Sequence, residues 1–478
     1  MPQVKRFRRR TKIVATIGPA SSSASMIERL LKAGVDVARL NLSHGTHNDH
    51  ARQLQTIRKS SQRLDLPVAI IMDLPGPKYR TGRLKNSPVI LKKGAQITLT
   101  TEQVEGDAER VPVNLPTLPQ DVKIGDKVLI DDGALQLKVL GITETEVRCR
   151  ILVGGALTPG RGLVVPAMNT SGPFITEQLK KHIAFAIEHQ PDYVALSFVT
   201  GPEDVERTRD LLKQGDSDIP IITKIERGRA VSSFDRILAV SDGIMVARGD
   251  LGVDIPLEKV PLVQKEIINK CNKAGKPVIT ATQMLESMIN SPRPTRAEVT
   301  DVANAIFDGT DAIMLSGETS VGKYPVPSVK TMSKIAQETE RQLPYEHLLM
   351  HRGAWLESQT DEMISYNACY TAYRLGAAAI VAATLSGSTV RRISKYRPKM
   401  PIIAITPSAQ VYGRLLLSWG VQVRQIAASP SVAELFATAA QLCQDMGIAK
   451  SGDLIVITGG IPLGVSGTTN LLKVERVA

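Results

Sequence analysis

Pro220-Ile-Ile-Thr-Lys-Ile-Glu226, a helical stretch, then Gly243-Ile-Met-Val-Ala-Arg-Gly-Asp250: two apolar runs that stop on charged residues decide the fold of this chain. Six more apolar runs carry polar or charged residues towards their ends, namely Thr11–Gly18, Val35–Ser43, Val68–Leu74, Tyr193–Val199, Val278–Met284 and Asp311–Glu318. Helical patterns separate most of them, as parallel strands with crossover helices require. Eight such units predict a (β/α)8 barrel of the TIM type, whose chemistry sits at the carboxyl ends of the strands. Those ends hold Arg39, Asn41, Ser43, Asp73, Lys224, Glu226, Asp250, Thr282, Ser316 and Glu318, an active site in outline.

Outward from the barrel the texture changes twice. The third run enters the Pro- and Gly-rich loop Asp73-Leu-Pro-Gly-Pro-Lys-Tyr-Arg-Thr-Gly82, after which residues 83–166 alternate apolar and polar between turn signals. That pattern predicts a small antiparallel β-barrel domain inserted after the third strand, placed to close over the mouth as a lid. Barrel texture resumes over 167–345. Residues 346–478 carry four apolar strands, Ala377–Ala383, Pro401–Ile405, Val421–Ile426 and Asp453–Ile457, with helical stretches between them, so a doubly wound α/β domain is expected there. The first barrel segment is 1–82, opening with a basic tail over residues 1–10.

The 478 residues exceed one core's usual size, and 43% apolar with 22% charged residues fits a globular protein. No uncharged apolar stretch approaches the roughly 20 residues that span a bilayer, and no apolar signal core follows the basic start, so no membrane role and no export are expected. Four scattered cysteines without a C-x-x-C pair suit a reducing cytoplasm. Of the net charge of +12, Lys5, Arg6, Arg8, Arg9, Arg10 and Lys12 supply half. A basic tail can be a nucleic-acid arm, but no recognition motif accompanies it, so a solvated end and anionic small-molecule substrates are the expectation.

Strand side chains two apart share a face, so Lys224 with Glu226, Arg39 with Asn41 and Ser43, and Ser316 with Glu318 are expected to point into the mouth together. Glu226 and Asp250 end consecutive strands; two hard carboxylate ligands with room for water suit Mg2+ or Mn2+. Lys224 beside them puts a cation where a transferring phosphoryl group spreads negative charge. A strand-end salt bridge is the alternative for Lys224 and Glu226. The turn at Gly249 and Asp250 opens a helix whose backbone N–H groups can take a carboxylate or phosphate. Thr282 can relay a proton through water. His44, His47 and His50, spaced by three, lack a cysteine or fourth ligand for zinc; a nucleotide or loop contact by His44 is favoured, with Asn48 or Asp49 starting a helix. In the last domain Thr384, Ser386, Gly387, Ser388 and Thr389 form a strand-to-helix loop suited to a phosphate, and Thr458–Gly467 is a second such loop, so a phosphorylated effector is expected there.

Taken together these blocks resemble the pyruvate kinases. The matching stretches are Thr11-Lys-Ile-Val-Ala-Thr-Ile-Gly-Pro, Ala38-Arg-Leu-Asn-Leu-Ser-His-Gly45, Asp73–Gly82, Ile221–Glu226, Met245–Asp254, Ala281–Asp301 and Asp308–Thr319. The resemblance implies phosphoryl transfer from phosphoenolpyruvate to ADP, giving pyruvate and ATP. It implies that Lys224 stabilises the transition state, that Glu226 and Asp250 hold Mg2+, and that Arg39, Gly249, Asp250 and Thr282 touch phosphoenolpyruvate. Asn41, Leu42, Ser43, His44, Arg80 and Arg161 would serve the nucleotide, and Asn41, Ser43, Asp73 and the Leu74 carbonyl would match a K+ site. A homotetramer is implied as well.

Two positions depart from the family pattern. Lys78 stands where K+-dependent relatives carry glutamate, which implies activity without K+, its ammonium near Asp73 replacing the ion. Arg229 stands where an acidic or amide residue is usual and is expected to matter little. The rivals are a Mg-dependent barrel aldolase or phosphomutase working through a pyruvate enolate, and a silent sugar-phosphate sensor. Neither needs both a nucleotide lid and an intact Lys224, Glu226, Asp250 and Thr282. Fructose 1,6-bisphosphate, another sugar phosphate and AMP all remain open as the effector.

Overall fold

The computed structural model describes residues 9–166, 168, 171–429, 431–465 and 467–478. Eight parallel strands close into a barrel: β1 (Lys12–Ile17), β2 (Val37–Asn41), β3 (Ala69–Leu74), β4 (Tyr193–Leu196), β5 (Ile221–Ile225), β6 (Gly243–Ala247), β7 (Val278–Ala281) and β8 (Ala312–Leu315). Each pairs with its sequence neighbours and β1 pairs with β8. β1 and β3 are buried along their whole length, which is why they read as unbroken apolar runs. β6, β7 and β8 are shorter than their runs. The chain leaves β6 and β8 into the short helices Arg248–Asp254 and Gly317–Ser320, and leaves β7 through Thr282 and Gln283, both at positive φ. The polar ends of these runs therefore sit on turns, not on strand.

The insertion is a seven-stranded sheet in the order Tyr79–Arg80, Gly162–Val164, Lys127–Ile130, Leu135–Ile142, Glu146–Val153, Gln96–Thr100, Arg110–Pro112. Its pairs are antiparallel except the last, which is parallel, and a bridge from Thr81 to Val113 joins the two edges. The sheet takes its first strand from the Pro/Gly loop itself, because Tyr79 and Arg80 pair back onto Leu163 and Gly162. Ile97, Leu99, Val128, Leu137 and Val147 give the lid its own core.

The last domain is a five-stranded sheet. β9 (Ala379–Ala383), β10 (Ile402–Thr406), β11 (Val421–Gln425) and β12 (Leu454–Gly460) run parallel, and β13 (Thr469–Arg476) is antiparallel at the edge beside β12. Four strands were expected. The fifth is half exposed, so its apolar residues form no run that sequence would mark. One apolar cluster joins the barrel interior, including Val14, Ile71, Ile222 and Ile279, to Tyr396, Leu415 and Val421 of this domain. The last domain thus stoppers the amino end of the barrel and leaves the carboxyl end to the lid.

The basic start is partly built into this seam, against the expectation of a solvated end. Arg9 pairs with Asp36 at 2.6 Å, the backbone N–H groups of Arg10 and Thr11 donate to Glu340 at 2.7 and 2.6 Å, and Lys12 Nζ donates to the Val421 carbonyl at 2.7 Å. Lys5, Arg6 and Arg8 lie outside the described residues. Among the described residues no helix is long and apolar enough to cross a membrane.

Candidate active site

β5 delivers Lys224 and places Glu226 just past its end; their side chains meet at 2.9 Å, Nζ to Oε1. Lys224 also donates to Asp73 Oδ1 at 3.2 Å and to Ser197 Oγ at 2.7 Å. Asp73, on β3, takes Arg39 Nε from β2 on its other oxygen at 2.7 Å, and Arg39 Nη1 reaches Thr16 on β1 at 2.9 Å. Five neighbouring strands of the barrel thus converge on one buried charge network.

Burial works against the Lys224 ammonium, yet Asp73 and Glu226 outweigh it and hold its pKa above the ordinary value. Burial likewise lifts the Asp73 carboxyl, and Lys224 with Arg39 reverses this and holds it below the usual carboxylate range. For Glu226 burial prevails over the attraction of Lys224, and the nearby Asp250 carboxylate adds to it, so the group rests above its ordinary pKa. Two carboxylate side chains placed close together in this way suit a shared divalent cation. Glu226 Oε2 is steadied by the Phe198 N–H at 2.7 Å, with Phe198 at φ 59°.

Asp250 follows β6 on the short helix Arg248–Asp254 and receives Lys78 Nζ at 2.5 Å. This corrects the expectation that Lys78 would sit on Asp73: it pairs with Asp250, while Asp73 is taken by Arg39, Ser197 and Lys224. Thr282 stands at φ 67°, its hydroxyl donating to the Ala281 carbonyl at 2.6 Å and accepting the Gly249 N–H at 2.8 Å. The Gly249 N–H, expected to take a carboxylate or phosphate, is here engaged by Thr282. Arg248 holds this turn, with Nη2 on the Thr282 carbonyl at 2.7 Å and Nη1 on Asp301 at 2.7 Å.

Other expected residues are placed differently. Ser316 and Glu318 lie past the end of β8, so strand alternation does not align them. Buried Glu318 instead accepts the Leu285 and Ser316 N–H groups at 3.0 and 2.8 Å and ties the turns after β7 and β8 together. Asn41 Oδ1 caps the Ser43 N–H at 3.2 Å, the Leu42 N–H donates to the Asp73 carbonyl at 3.0 Å, and the Leu74 carbonyl accepts the Ser197 N–H at 3.3 Å.

Partial burial, then the charges of Arg80 and Arg39, holds the His44 ring below its ordinary pKa, while the Arg80 side chain donates to the Gly160 carbonyl of the lid at 3.1 Å. Arg161 turns away onto Asp131 at 3.1 Å and Thr158 at 2.6 Å within the lid. His47 meets His182 at 2.8 Å and His50 meets the His44 carbonyl at 2.7 Å. Among the described residues no group of three or more His, Cys, Asp or Glu could hold a metal. Thr46 caps the helix His47–Leu64, and Asp49 completes the capping box. Ser197, Phe198, Thr16 and Arg248 were not singled out from sequence. For Ser197 a signal existed, a hydroxyl near the end of the run Tyr193–Val199.

In the last domain the loops after β9 and β12 line a single cavity. Thr384, Ser386, Ser388 and Thr389 face Gly460, Leu463, Gly464 and Gly467 across it, with Ile405, Pro407 and Ile426 between. Gly387 takes φ 80° at the head of the helix Ser388–Lys395, and its N–H donates to Thr384 Oγ1 at 2.8 Å.

Comparison with known proteins gives the same answer along the whole chain. The family described as "Pyruvate kinase, barrel domain" matches residues 8–329, and "Pyruvate kinase, alpha/beta domain" matches 362–475. Curated pyruvate kinases of Staphylococcus aureus strains MRSA252 and USA300 are each 47% identical over 471 residues, covering 98% of this chain and 80% of theirs. A crystal structure of a pyruvate kinase from Cryptosporidium parvum superposes with a TM-score of 0.93 at 38% identity, covering 98% of this chain and 97% of that one. With the barrel, the lid and the Lys224 network already in place, the chain belongs to the pyruvate kinase family and is a phosphotransferase.

Proposed function

We propose that the protein moves the phosphoryl group of phosphoenolpyruvate to the terminal phosphate oxygen of ADP, forming ATP and pyruvate, and that the network around Lys224 is where this happens. The observation that carries the proposal is a buried ammonium held between Asp73 and Glu226 at the carboxyl end of the barrel. Arg39, braced by Asp73 and Thr16, orients the phosphate of phosphoenolpyruvate, and Lys224 meets the charge that spreads over the transferring group. Glu226 and Asp250 would hold Mg2+ or Mn2+; their hard oxygens, now facing ammonium groups, fit such an ion. Bound there, the cation would neutralise phosphoryl and enolate oxygens.

Transfer breaks the bond from phosphorus to the enol oxygen and forms one to ADP. The enolate left behind takes a proton at its methylene carbon, and Thr282, fixed between Gly249 and Ala281, positions the water that delivers it. Asn41, Leu42, Ser43, His44 and Arg80 line the nucleotide's approach, with Arg161 brought in by lid movement. Asn41, Ser43, Asp73 and Leu74 correspond to a K+ site. Lys78, standing where K+-dependent relatives carry glutamate, supports turnover without K+.

Thr384, Ser386, Gly387, Ser388 and Thr389 would bind the phosphate of a metabolite effector. Exposed Leu257, Leu262, Phe307 and Val321 support assembly, as a homotetramer in the cytoplasm. A coupled pyruvate assay with phosphoenolpyruvate, ADP and Mg2+, run with and without K+ against a panel of phosphorylated metabolites, tests this. Turnover without K+ and stimulation by a sugar or nucleoside phosphate are expected. No pyruvate under any condition, or a strict K+ requirement, contradicts the corresponding part.

A further inference from the structure

Lys78 lies where the chain leaves the barrel for the lid, and it touches both. Its carbonyl accepts the Asn114 Nδ2–H of the lid at 3.1 Å. Its methylenes pack on Gly162 of the lid strand Gly162–Val164, so closely that a Cβ there would stand 2.6 Å from Lys78 Cε. Its ammonium crosses to the barrel, 2.5 Å from Asp250 Oδ1 and 5.2 Å from the centre of the Phe198 ring. The Phe198 N–H in turn holds Glu226. One side chain thus joins the lid root to Asp250 and to the ring of Phe198, whose backbone holds Glu226.

We propose that Lys78 is a positioning residue that competes with the divalent cation for Asp250, so that cation binding frees the lid root from the barrel. The inference rests on the metal assignment given under Proposed function. A carboxylate oxygen engaged by an ammonium at 2.5 Å is poorly available to a cation. A cation that takes Asp250 Oδ1 must move Lys78, and the backbone of Lys78 and the wall formed by Gly162 belong to the lid. A half-buried pair of this kind, 15% and 27% exposed, resists separation by more than a surface pair does.

The test measures Mn2+ binding to the full-length protein without substrate, from the paramagnetic resonance signal of free Mn2+. Lys78→Met removes the competitor and is expected to tighten binding about tenfold, the scale of one charge-assisted hydrogen bond. Gly162→Ala keeps the charge but pushes the flexible end of Lys78 aside, and it is expected to tighten binding in the same direction. Lys78→Arg, which can rebuild the pair, is expected to return binding towards wild type, as a merely structural role would not require. Hydrogen exchange over Gly162–Val164 should quicken on adding Mn2+ to wild type and stay unchanged in Lys78→Met. Asp250→Asn separates the two ideas. If it weakens Mn2+ binding while Lys78→Met and Gly162→Ala leave it at the wild-type value, the competition is wrong and the metal assignment survives. If Asp250→Asn binds Mn2+ like wild type, the metal assignment itself is wrong.

Discussion

Lys224 is a buried cation tolerated because it is surrounded: two carboxylates and a hydroxyl meet it within 3.2 Å. Removing any one partner leaves another buried and uncompensated. Ser197 shows this most simply. Its hydroxyl accepts from Lys224 at 2.7 Å and donates to Asp73 at 3.0 Å, so it fixes the ammonium without carrying charge. Ser197→Ala should lower kcat roughly tenfold and cost about 1–3 kcal/mol of stability, since two polar partners lose a hydrogen bond while no charge changes. Steady-state kinetics and denaturant unfolding check this, and wild-type values in both would remove Ser197 from the network. Two residues of the site, Thr282 and Phe198, sit at positive φ, a conformation most side chains avoid and one that surroundings must enforce. Arg248 supplies that enforcement for Thr282 through its carbonyl. The Arg248 brace is not visible in sequence, because it arises from contacts across the turns after β6 and β7.

Among the elements, the strands were legible and their ends were not. Burial on both faces writes a parallel strand as an apolar run, but the run does not say where pairing stops, so Ser316 and Glu318 looked like strand neighbours although they lie on a turn. The helices His47–Leu64 and Glu177–His189 show a second kind of hidden contact. His47 Nε2 meets His182 Nδ1 at 2.8 Å, and the His47 ring stacks on Phe185. Burial first, then His47 and His50, pushes the His182 pKa down from 6.5 to about 4. A histidine depressed in the folded state takes up its proton more readily when unfolded. It therefore contributes stability above pH 6.5 that is lost as pH falls towards 4. The melting temperature of wild type should drop faster than that of His182→Gln across that window, and parallel curves would show that the pair stays neutral without consequence.

At the scale of the molecule, the barrel and its two added domains were readable because each has its own periodicity. The parallel pair in the lid and the edge strand β13 were not, since a mixed pairing and a half-exposed strand leave no distinctive pattern. The seam under the barrel was also unseen. There Arg397 of the last domain donates to Asn272 and the Gly309 carbonyl at 2.7 Å each, pairs with Asp311 at 3.0 Å and lies over Trp419. Arg397→Met should cost about 3–5 kcal/mol, as breaking one side of a buried pair does, and should split thermal unfolding into separate barrel and last-domain transitions. A single transition at the wild-type temperature would show that apolar contact alone joins them. The account as a whole rests on Lys224 acting on a transferring phosphoryl group. Phosphorus-31 resonance of phosphoenolpyruvate with ADP and Mg2+ follows that group directly. Wild type should carry the signal to the terminal phosphate of ATP, and Lys224→Met, folded by circular dichroism, should do so at least ~10³-fold more slowly; ATP appearing at the wild-type rate in the variant would contradict the account.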